Sequence, residues 1–452
     1  MHRVQPAHAT APTPSMTPDA ALAPVIASHR FGLSQTSLAS VGPDPRAWVM
    51  AQLRQPALFD AAGLPDSADA AAMTRNLLRL ADPQSDERQR LRDANLQSLR
   101  RRWQHQIETP TPVYERWVMF WANHFTVAAT KGTTLGMVWP FENEAIRPHA
   151  TGRFVALLRA ATVHPGMLLY LDNAQSVGPD SQQGQRRGRG LNENLARELL
   201  ELHTVGVRGG YTQADVRELA RLLTGWTTRR ASRTGPGFVA ALHDPGSKQV
   251  MGRRYAEGPQ ALDEVLDDLA RHPATASHLA DKLVRHFVAD DAPPALAQAV
   301  ARRFQDTDGD LLQVADALFS HELAWAAHRP GKVRRPEELL LAAHRMLQIP
   351  MGPPERSVAA LTAMGQPLGR APSPQGWPDR QDDWIGPDAL LKRVEWAVAM
   401  GRASAGLADA RQLAELAWGP ALSSDSRQQI ARAESGAQAL ALMLACPEFQ
   451  RR

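Results

Sequence analysis

The chain has 452 residues, 43% of them hydrophobic and 6% aromatic, and its formal net charge is +4 because 51 basic residues nearly match 47 acidic ones. That small excess gives no reason to expect nucleic-acid binding, and the single cysteine, Cys446, excludes an intramolecular disulfide and a multi-cysteine metal site. Alanine, leucine and arginine dominate while β-branched runs are rare, so we predict an all-α fold, a large single-domain array of many helices.

The first 18 residues are rich in proline, alanine and threonine, which predicts a disordered lead before one helical domain over residues 19–452. Neither this lead nor the stretch up to Gly32 contains a continuous apolar segment or a twin arginine. The sequence therefore predicts a cytoplasmic protein, and the alternative is a periplasmic one that is exported together with a partner. No apolar run approaches the ~20 residues that a membrane-spanning helix needs, so no membrane span is expected.

Helical periodicity begins at about Asp19, and the first predicted helix ends at Gly32. Asp44 and Pro45 have the residue types of the cap and first positions of a second helix. A long, highly charged helix is predicted over residues 86–108. The helix that follows it carries apolar residues at intervals of three and four, which is typical of a helix with one buried face.

This aromatic helix ends in the stretch "WANHF", where Asn123 and His124 are candidate site residues. His124 follows Trp121 by three residues and Trp117 by seven, so its side chain is predicted to point with the buried aromatic stripe. A histidine there is either a core residue bonded to a backbone carbonyl or carboxylate, or a ligand or general base in an internal pocket. We keep both interpretations, with Asn123 as a binding residue under the second.

A glycine-rich, basic loop is predicted at residues 177–190, and helices follow at residues 191–204 and 212–224. The second of these helices opens with Thr212 and Asp215, which have the spacing of a capping box. The loop is therefore expected to lie near the start of the first of the two helices.

The helix predicted at residues 191–204 carries a polar cluster with two interpretations. Glu193, Arg197 and Glu201 recur every four residues, which is typical of a solvated helix face with stabilising ion pairs. Alternatively, the cluster is the wall of a site beneath the basic loop. The members of that wall are a catalytic Glu198 and the binding residues Asn192, Glu193 and Arg197. His203 has the wrong spacing from these acids for a helical metal site, and we expect it instead to face the helix dipole.

The stretch from residue 227 to 255 is irregular and glycine-rich, and we predict a loop with a short β-hairpin there. It contains "HDPGSK", where His243, Asp244 and Lys248 place three ionisable groups on an irregular segment, the usual location of site residues. We predict His243 and Asp244 as catalytic residues and Lys248 as a binding residue. The alternative is that Asp244 only caps the turn.

Helices are predicted again over most of residues 261–347 and, after a second loop at residues 365–387, toward the C-terminus. In this part "DTDGD" lacks the glycine and glutamate positions of a calcium loop, so Asp310 is predicted to cap the next helix. The arginine groups of the chain are short and are not interleaved with aromatic residues. They predict solvated loops and no nucleic-acid track.

Several stretches in collinear order resemble one bacterial family. They are "FWANHFTV", "PGMLLYLDN", "NENLARELLELHTVGVRGGYTQADVRELARLLTGW", "HDPGSKQVMG", "HPATASHLADKLVRHFVADD", "KVRRPEELLLAAHRML" and "QGWPDRQDDWI". From about residue 20 onward the chain resembles the family known as domain of unknown function 1800. The resemblance implies an uncharacterised protein, often exported, whose gene often lies beside that of the domain of unknown function 1501 family, which resembles alkaline phosphatases and sulfatases.

Two functions from different classes remain open. In the first, the helix that begins at Asn192, the "WANHF" helix and the "HDPGSK" loop converge on one polar pocket, and the protein is a hydrolase, with a divalent metal as the hypothesised cofactor. Its ligands or acid–base groups are His124, Glu198, His243 and Asp244. In the second, the protein is a non-catalytic partner or maturation factor for a neighbouring protein of the domain of unknown function 1501 family, and the polar clusters serve structure.

Overall fold

The protein is built mainly from helices. A computed structural model describes residues 20–79, 86–187, 190–232, 235–327 and 331–452, and within these ranges it contains twenty-two α-helices and four short strands. The prediction of an all-α fold with a little hairpin structure is confirmed. In the same ranges no helix is both long enough and apolar enough to cross a membrane. The predicted disordered lead, residues 1–18, lies outside the described residues.

The elements follow one another along the chain with few long connections. The helices of the first half are α1 (Ala23–Val25), α2 (Pro45–Arg54), α3 (Ser67–Arg79), α4 (Asp86–Glu108), α5 (Pro112–His124), α6 (Val138–Phe141), α7 (Phe154–Val163), α8 (Pro165–Tyr170), α9 (Gln182–Arg187), α10 (Asn194–Glu198) and α11 (Gln213–Leu223). The strands are β1 (Trp226–Ser232), β2 (Gly235–Phe238), β3 (Lys248–Val250) and β4 (Arg253–Tyr255). The remaining helices are α12 (Gln260–Arg271), α13 (Pro273–Phe287), α14 (Pro294–Asp306), α15 (Leu311–Ser320), α16 (Pro336–Leu347), α17 (Pro354–Ala363), α18 (Pro387–Ala403), α19 (Ala410–Trp418), α20 (Ser424–Ala431), α21 (Gly436–Ala445) and α22 (Pro447–Gln450).

The predicted helix starts are confirmed where a polar side chain caps the first turn. Asp44 Oδ1 accepts from a backbone N–H of α2 at 3.0 Å. Thr212 and Asp215 form the predicted capping box of α11, and Asp310 accepts from the first turn of α15 at 3.0 Å. Each cap pairs a backbone donor that an isolated helix end leaves free, so these starts follow from local sequence.

The glycine-rich stretch predicted to hold a hairpin holds two. β1 and β2 pair antiparallel with Trp226 opposite Phe238, and β3 and β4 pair antiparallel with Lys248 opposite Tyr255. The second hairpin lies against α11, because the backbone N–H of Met251 donates to the Asp215 carboxylate at 2.6 Å.

Three helical turns in the described ranges have the wider π geometry, which is rare in proteins. They are Ile26–Phe31, Glu142–Ile146 and Leu199–His203. The third follows α10 directly, so the helix predicted at residues 191–204 is an α-helical turn followed by a π-helical one. Each π turn contains buried ionisable residues, which are His29 and Arg30 in the first, Glu142 in the second and His203 in the third.

Two apolar clusters form the core. The first contains the aromatic residues of α5 and α13, among which the rings of Trp117 and Phe287 have centroids 5.6 Å apart. The second contains α16 and most of the helices after it, together with Trp103 of α4. Because α5 belongs mainly to the first cluster and α16 to the second, the buried ion pair between Arg116 and Glu338 crosses from one cluster to the other. That residues 19–452 fold as one domain stays a prediction.

Candidate functional site

His124, the last residue of α5, lies in the apolar core. It is 1% exposed, its ring centroid is 4.6 Å from that of Phe125, and its Nε2 lies 3.2 Å from the carbonyl oxygen of His203. Burial, and after it the charges of Lys282 and His203, lower the pKa of His124 well below its usual range. The ring is therefore neutral and donates from Nε2, and its Nδ1 has no partner among the described residues.

Two further histidines lie beside His124. His203, in the third π turn, has its ring centroid 6.0 Å from that of His124, and its Nε2 has no partner in the described part of the chain. His278, on α13, has its Nε2 3.1 Å from the carbonyl oxygen of Leu202. Burial, and then the charge of Lys282, lower the pKa of His203 to about 3 and that of His278 to about 4. His203 is thus neutral and its ring is buried among other rings, and its expected contact with the helix dipole stays a prediction.

Lys282 lies on α13 between two histidines. His278, Lys282 and His286 follow one another at intervals of four residues, so the three side chains share one face of the helix. Burial lowers the pKa of Lys282 to about 8, although the charge of Asp379 opposes that shift. No hydrogen bond or ion pair between described residues uses the Lys282 ammonium group. Lys282 is partly exposed, so its ammonium group is a cation near the neutral rings that water can still reach.

His286 and Asp379 form a buried hydrogen-bonded pair. His286 Nδ1 lies 2.7 Å from Asp379 Oδ1, and His286 Nε2 has no partner within the described ranges. Burial by itself raises the pKa of Asp379, but the hydrogen bond from His286 and the charges of Arg335 and Lys332 hold it well below its usual range. Burial lowers the pKa of His286 to about 4. The pair is therefore a neutral imidazole that donates to an ionised carboxylate and keeps the Nε2 lone pair.

Asp379 reaches α13 because the segment that carries it, residues 365–386, is fixed to α5 by Asn123. Asn123 Nδ2 donates to the carbonyl oxygen of Trp377 at 3.0 Å, and Asn123 Oδ1 accepts from the backbone N–H of Trp377 at 2.7 Å. Gly376 has a φ of 82°, and a Cβ there would lie 2.4 Å from the Asn123 carbonyl oxygen, so this position requires glycine. The predicted binding residue Asn123 therefore binds the backbone of its own chain.

The same segment is held on the other side of Asp379 by a buried lysine. Lys332, 3% exposed, donates from Nζ to Asp290 Oδ1 and to the carbonyl oxygen of Asp379. Asp290 Oδ2 accepts in turn from the backbone N–H of Gln381 at 2.8 Å. The backbone around Asp379 is thus fixed at three points, which positions its carboxylate against His286.

A small cavity of about 80 Å³ lies beside this segment. Asn123, Trp377 and Arg335 line it together with charged residues that pair with one another, such as Arg102 and Glu142 at 2.9 Å. A volume of this size has room for a few water molecules. The cavity therefore places a space large enough for water next to the segment that carries Asp379.

The "HDPGSK" residues form a separate buried cluster. His243 Nδ1 lies 2.8 Å from the carbonyl oxygen of Thr224, and His243 Nε2 lies 3.0 Å from Lys248 Nζ. Asp244 Oδ1 accepts from Arg221 Nε at 2.7 Å, and Lys248 also donates to the Asp244 carbonyl oxygen. These atoms bind one another and α11, so the geometry favours a role in fixing the loop. The catalytic roles of His243 and Asp244 and the binding role of Lys248 stay predictions.

The polar residues of α10 and its flanks lie partly exposed. Arg197 Nη2 is 3.1 Å from Glu193 Oε2, as expected of a pair at a spacing of four, and Asn192 Oδ1 accepts from the backbone two residues on at 2.9 Å. Glu198 is half-buried, and burial followed by the charge of Glu201 raises its pKa. Asn192, Glu193 and Arg197 thus have contacts typical of a capped, solvated helix face. A catalytic Glu198 stays a prediction.

Contacts join two of the three predicted blocks. His124 contacts His203, at the end of the helical stretch that begins near Asn192. Between described residues, no hydrogen bond, ion pair or ring contact links His243 to His124 or to Glu198. The convergence of all three blocks on one pocket stays a prediction.

Lys282, His286 and Asp379 are not among the site residues predicted from the sequence. A usable signal was present for two of them, because "HLADKLVRH" repeats histidine, lysine and histidine at intervals of four and so places them on one helix face. For Asp379 no local pattern indicated a contact with a histidine 93 residues away.

The sequence hypothesis allows a divalent metal ion at a site formed by His124, Glu198, His243 and Asp244. Across residues 20–79, 86–187, 190–232, 235–327 and 331–452, no group of three or more histidine, cysteine, aspartate or glutamate side chains is arranged to hold a metal ion. The ring nitrogens of His124, His203 and His286 that have no partner among the described residues belong to imidazoles whose pKa values are lowered by burial.

Comparisons with known proteins give one match. Residues 26–451 match the family described as "Protein of unknown function (DUF1800)", which covers nearly the whole chain. No curated protein and no solved structure matches it.

Proposed function

The chain belongs to the DUF1800 family, and from this premise we propose that it is a hydrolase in which His286, oriented by Asp379, is the general base. The observation that carries the proposal is the 2.7 Å contact between His286 Nδ1 and Asp379 Oδ1, together with a buried Nε2 that has no partner among the described residues. A carboxylate that accepts from one imidazole nitrogen fixes the tautomer and orientation of the ring. The other nitrogen is then available to take a proton.

The proposed reaction is the hydrolysis of a carboxylic ester or amide. His286 Nε2 takes a proton from a water molecule while the water oxygen attacks the carbonyl carbon, and the electron pair of the carbonyl bond moves to its oxygen. The ammonium group of Lys282, one helical turn away, stabilises that oxyanion. When the carbonyl forms again, the bond to the alcohol or amine breaks, and the leaving group takes the proton from His286.

The segment of residues 365–386 covers this site in the proposal. Because Asp379 lies on that segment, the pair with His286 forms only while the segment is held on Asn123. Substrate entry requires the two hydrogen bonds between Asn123 and Trp377 to break, and their return assembles the base and excludes bulk water. Asn123 is therefore a positioning residue.

The test measures turnover of chromogenic acyl esters of increasing chain length by the purified full chain. We expect His286→Gln and Asp379→Asn each to lower kcat by about 100-fold or more. Asn123→Ala lowers kcat and raises KM together, because it weakens the closure that brings Asp379 to His286. His321→Gln is the matched control, since His321 only caps the turn at Glu322–Trp325, and it leaves turnover unchanged.

The pH profile provides a second readout. Burial lowers the pKa of His286 to about 4, so we expect the proposed base to be neutral above that value and turnover to fall as the pH drops toward it. Absence of turnover on every ester, or full turnover in His286→Gln, contradicts the proposal. The metal-assisted version is tested on the same sample by elemental analysis, and it requires a stoichiometric metal that is lost in His124→Ala or His243→Ala.

A second candidate function, binding of a protein partner, is favoured by one face of α18. Leu390, Leu391, Val394 and Val398 lie on that face and are 47%, 54%, 49% and 36% exposed. The opposite face of the helix is buried through residues such as Trp396. A row of exposed apolar residues on one helix face is typical of an interaction surface. In this proposal the surface binds a neighbouring protein of the domain of unknown function 1501 family.

The partner proposal is tested by binding between the two purified proteins. A double variant, Leu391→Asp with Val394→Asp, loses binding at least tenfold, whereas Leu58→Asp, at an apolar position that is 81% exposed outside α18, does not. Equal binding by both variants contradicts the use of this face. Fractionation of cells with and without the partner's gene tests the accompanying proposal of co-export.

A further inference from the structure

A cavity of about 570 Å³ lies between the first π turn, the connection of α19 to α20, and α22. Its lining combines apolar residues, among them Ile26, Trp418 and Leu422, with the basic residues Arg30 and Arg451. His286, Asp379 and Lys282 are not part of this lining. The cavity is therefore a site separate from the proposed active site, and it falls in the size range of small-molecule pockets, ~300–1,000 Å³.

Arg30 is a buried cation beside this cavity. It is 5% exposed, and its Nη1 donates to the carbonyl oxygens of Ala324 and Ala326 at 2.9 Å each. Its Nε has no partner, and within the described ranges no carboxylate forms an ion pair with it. Burial, and then the charge of Arg452, lower the pKa of Arg30 to about 10, so the group is still charged at neutral pH.

The carboxylate in the lining, and the one that binds the lining residue Arg452, are already engaged. Glu448 lines the cavity, and its two oxygens accept from the turn at residues 423–426 at 3.0 and 2.7 Å. Glu338 accepts from two other buried arginines at 2.7 and 3.2 Å. A buried cation without a counter-ion is costly, so an anion that enters the cavity and reaches Arg30 lowers the free energy of the folded protein.

We propose that this cavity binds a small anionic amphiphile, with a carboxylate against Arg30 and Arg451 and an acyl chain against Trp418 and its apolar neighbours. The basic residues of the lining support the carboxylate of such a ligand, and the apolar residues support its acyl chain. A guanidinium pairs with a carboxylate through geometrically matched hydrogen bonds. Burial of a hydrocarbon chain against apolar side chains lowers the free energy because it removes apolar surface from water. The proposal does not depend on the proposed hydrolase, because it concerns other side chains.

The experiment compares three probes on the purified full chain by thermal melting and by titration calorimetry. Decanoate carries both the charge and the chain, decanol carries only the chain, and acetate carries only the charge. We expect decanoate to raise Tm and to bind with measurable heat, and the other two probes to do neither at the same concentration. Equal stabilisation by decanol overturns the proposal, as does the absence of any effect of decanoate.

Two variants locate the binding. Arg30→Met removes the proposed charge contact and weakens decanoate binding at least tenfold. Ala421→Trp fills the cavity from its lining without changing any charge, so it abolishes binding even where Arg30→Met folds poorly. Arg54→Met, at an arginine whose side chain is 58% exposed, is the control and binds decanoate as the native chain does. Native-like binding by Ala421→Trp shows that decanoate sits elsewhere and contradicts the proposal.

Discussion

At the scale of single residues, Glu115 shows how this protein buries charge. It is 0% exposed, accepts from Arg147 at 2.7 and 3.0 Å, and lies 3.1 Å from His105 Nε2. Arg147 also binds Glu142, and Glu142 binds Arg102, so positive and negative side chains alternate along a buried row. Burial alone raises the pKa of Glu115, but Arg147 and then His105 hold it well below its usual range. Each charge in the row is therefore stabilised by its neighbours.

Replacing Glu115 by glutamine leaves Arg147 without its bidentate partner in a buried position. We expect Glu115→Gln to lower the apparent free energy of unfolding in urea by about 3 kcal/mol, the loss typical of a broken buried pair. Glu193→Gln breaks an ion pair of similar length on a half-exposed helix face and costs at most about 0.5 kcal/mol. Similar losses in the two variants contradict the importance of burial for the Glu115 pair.

At the scale of elements, the position of residues 365–386 depends on how closely the segment approaches α5. The Asn123 side chain binds the Trp377 backbone in both directions, and this contact is possible because Gly376 has no Cβ. Trp384 adds a further contact within the segment by donating from its indole N–H to the Pro378 carbonyl oxygen at 3.0 Å. The segment has little regular secondary structure, so these few contacts determine where Asp379 lies.

Gly376→Ala tests this dependence. The new methyl group meets Asn123 and Thr126 at less than 3 Å, so we expect the segment to leave α5. The free energy of unfolding then falls by about 2 kcal/mol more than an alanine at a positive φ alone would cause. Gly246→Ala is the matched control, because Gly246 has a φ of 80° and open space around it, and it loses only about 1 kcal/mol. Limited proteolysis within residues 365–386 is faster in Gly376→Ala. Equal proteolysis of both variants contradicts the expectation.

Elements set by local sequence could be predicted, and those set by distant contacts could not. The caps at Asp44, Thr212 and Asp310 are confirmed because a cap needs only a side chain and the next turn of backbone. The π turn at Leu199–His203 was missed because a periodicity of 3.6 residues assumes α-helical geometry throughout. The π turn changes the face of the helix on which His203 lies. The relation between His203 and the acids of the same helix, which was inferred from α-helical spacing, therefore changes as well.

At the scale of the whole molecule, the candidate site arises from parts of the chain that lie far apart in sequence. His286 and Asp379 meet only because α13, α5 and the segment at residues 365–386 pack together, and hydrophobic periodicity does not contain that information. The all-α class followed from composition, which reports an average over the chain. The contacts of individual polar side chains depend on the packing of several helices, so the sequence alone indicated His124 and Asn123 but not their partners.

The buried histidines give the whole protein a common response to acid. Burial lowers the pKa of His29 and His203 to about 3 and that of His278 and His286 to about 4, below the ordinary value of 6.5. Between these values the unfolded chain binds protons that the folded chain does not, so the stability of the folded state is complete above pH 6.5 and falls as the pH is lowered.

We therefore expect Tm to decrease steadily from about pH 6.5 to pH 4, before most carboxylates titrate. The measurement is thermal melting in a series of buffers at constant ionic strength. His203→Gln removes one of the titrating groups and gives a flatter profile. A Tm that is constant down to pH 4.5 shows that the histidines titrate alike in the folded and unfolded chains and contradicts the expectation.

The three π turns also affect which insertions and deletions the family can accept. Each residue of an α-helix advances the chain by 100°, so the loss of one residue from an ordinary helix rotates every later side chain off its face. A π turn already contains one residue more than an α-helical turn, and a one-residue deletion there restores α-helical hydrogen bonding and leaves the rest of the helix intact. At Leu199–His203 such a deletion leaves His203 facing His124, because an α-helical turn with one residue fewer advances the chain by nearly the same angle. Related chains with a one-residue gap at this turn are therefore expected to keep the buried histidine.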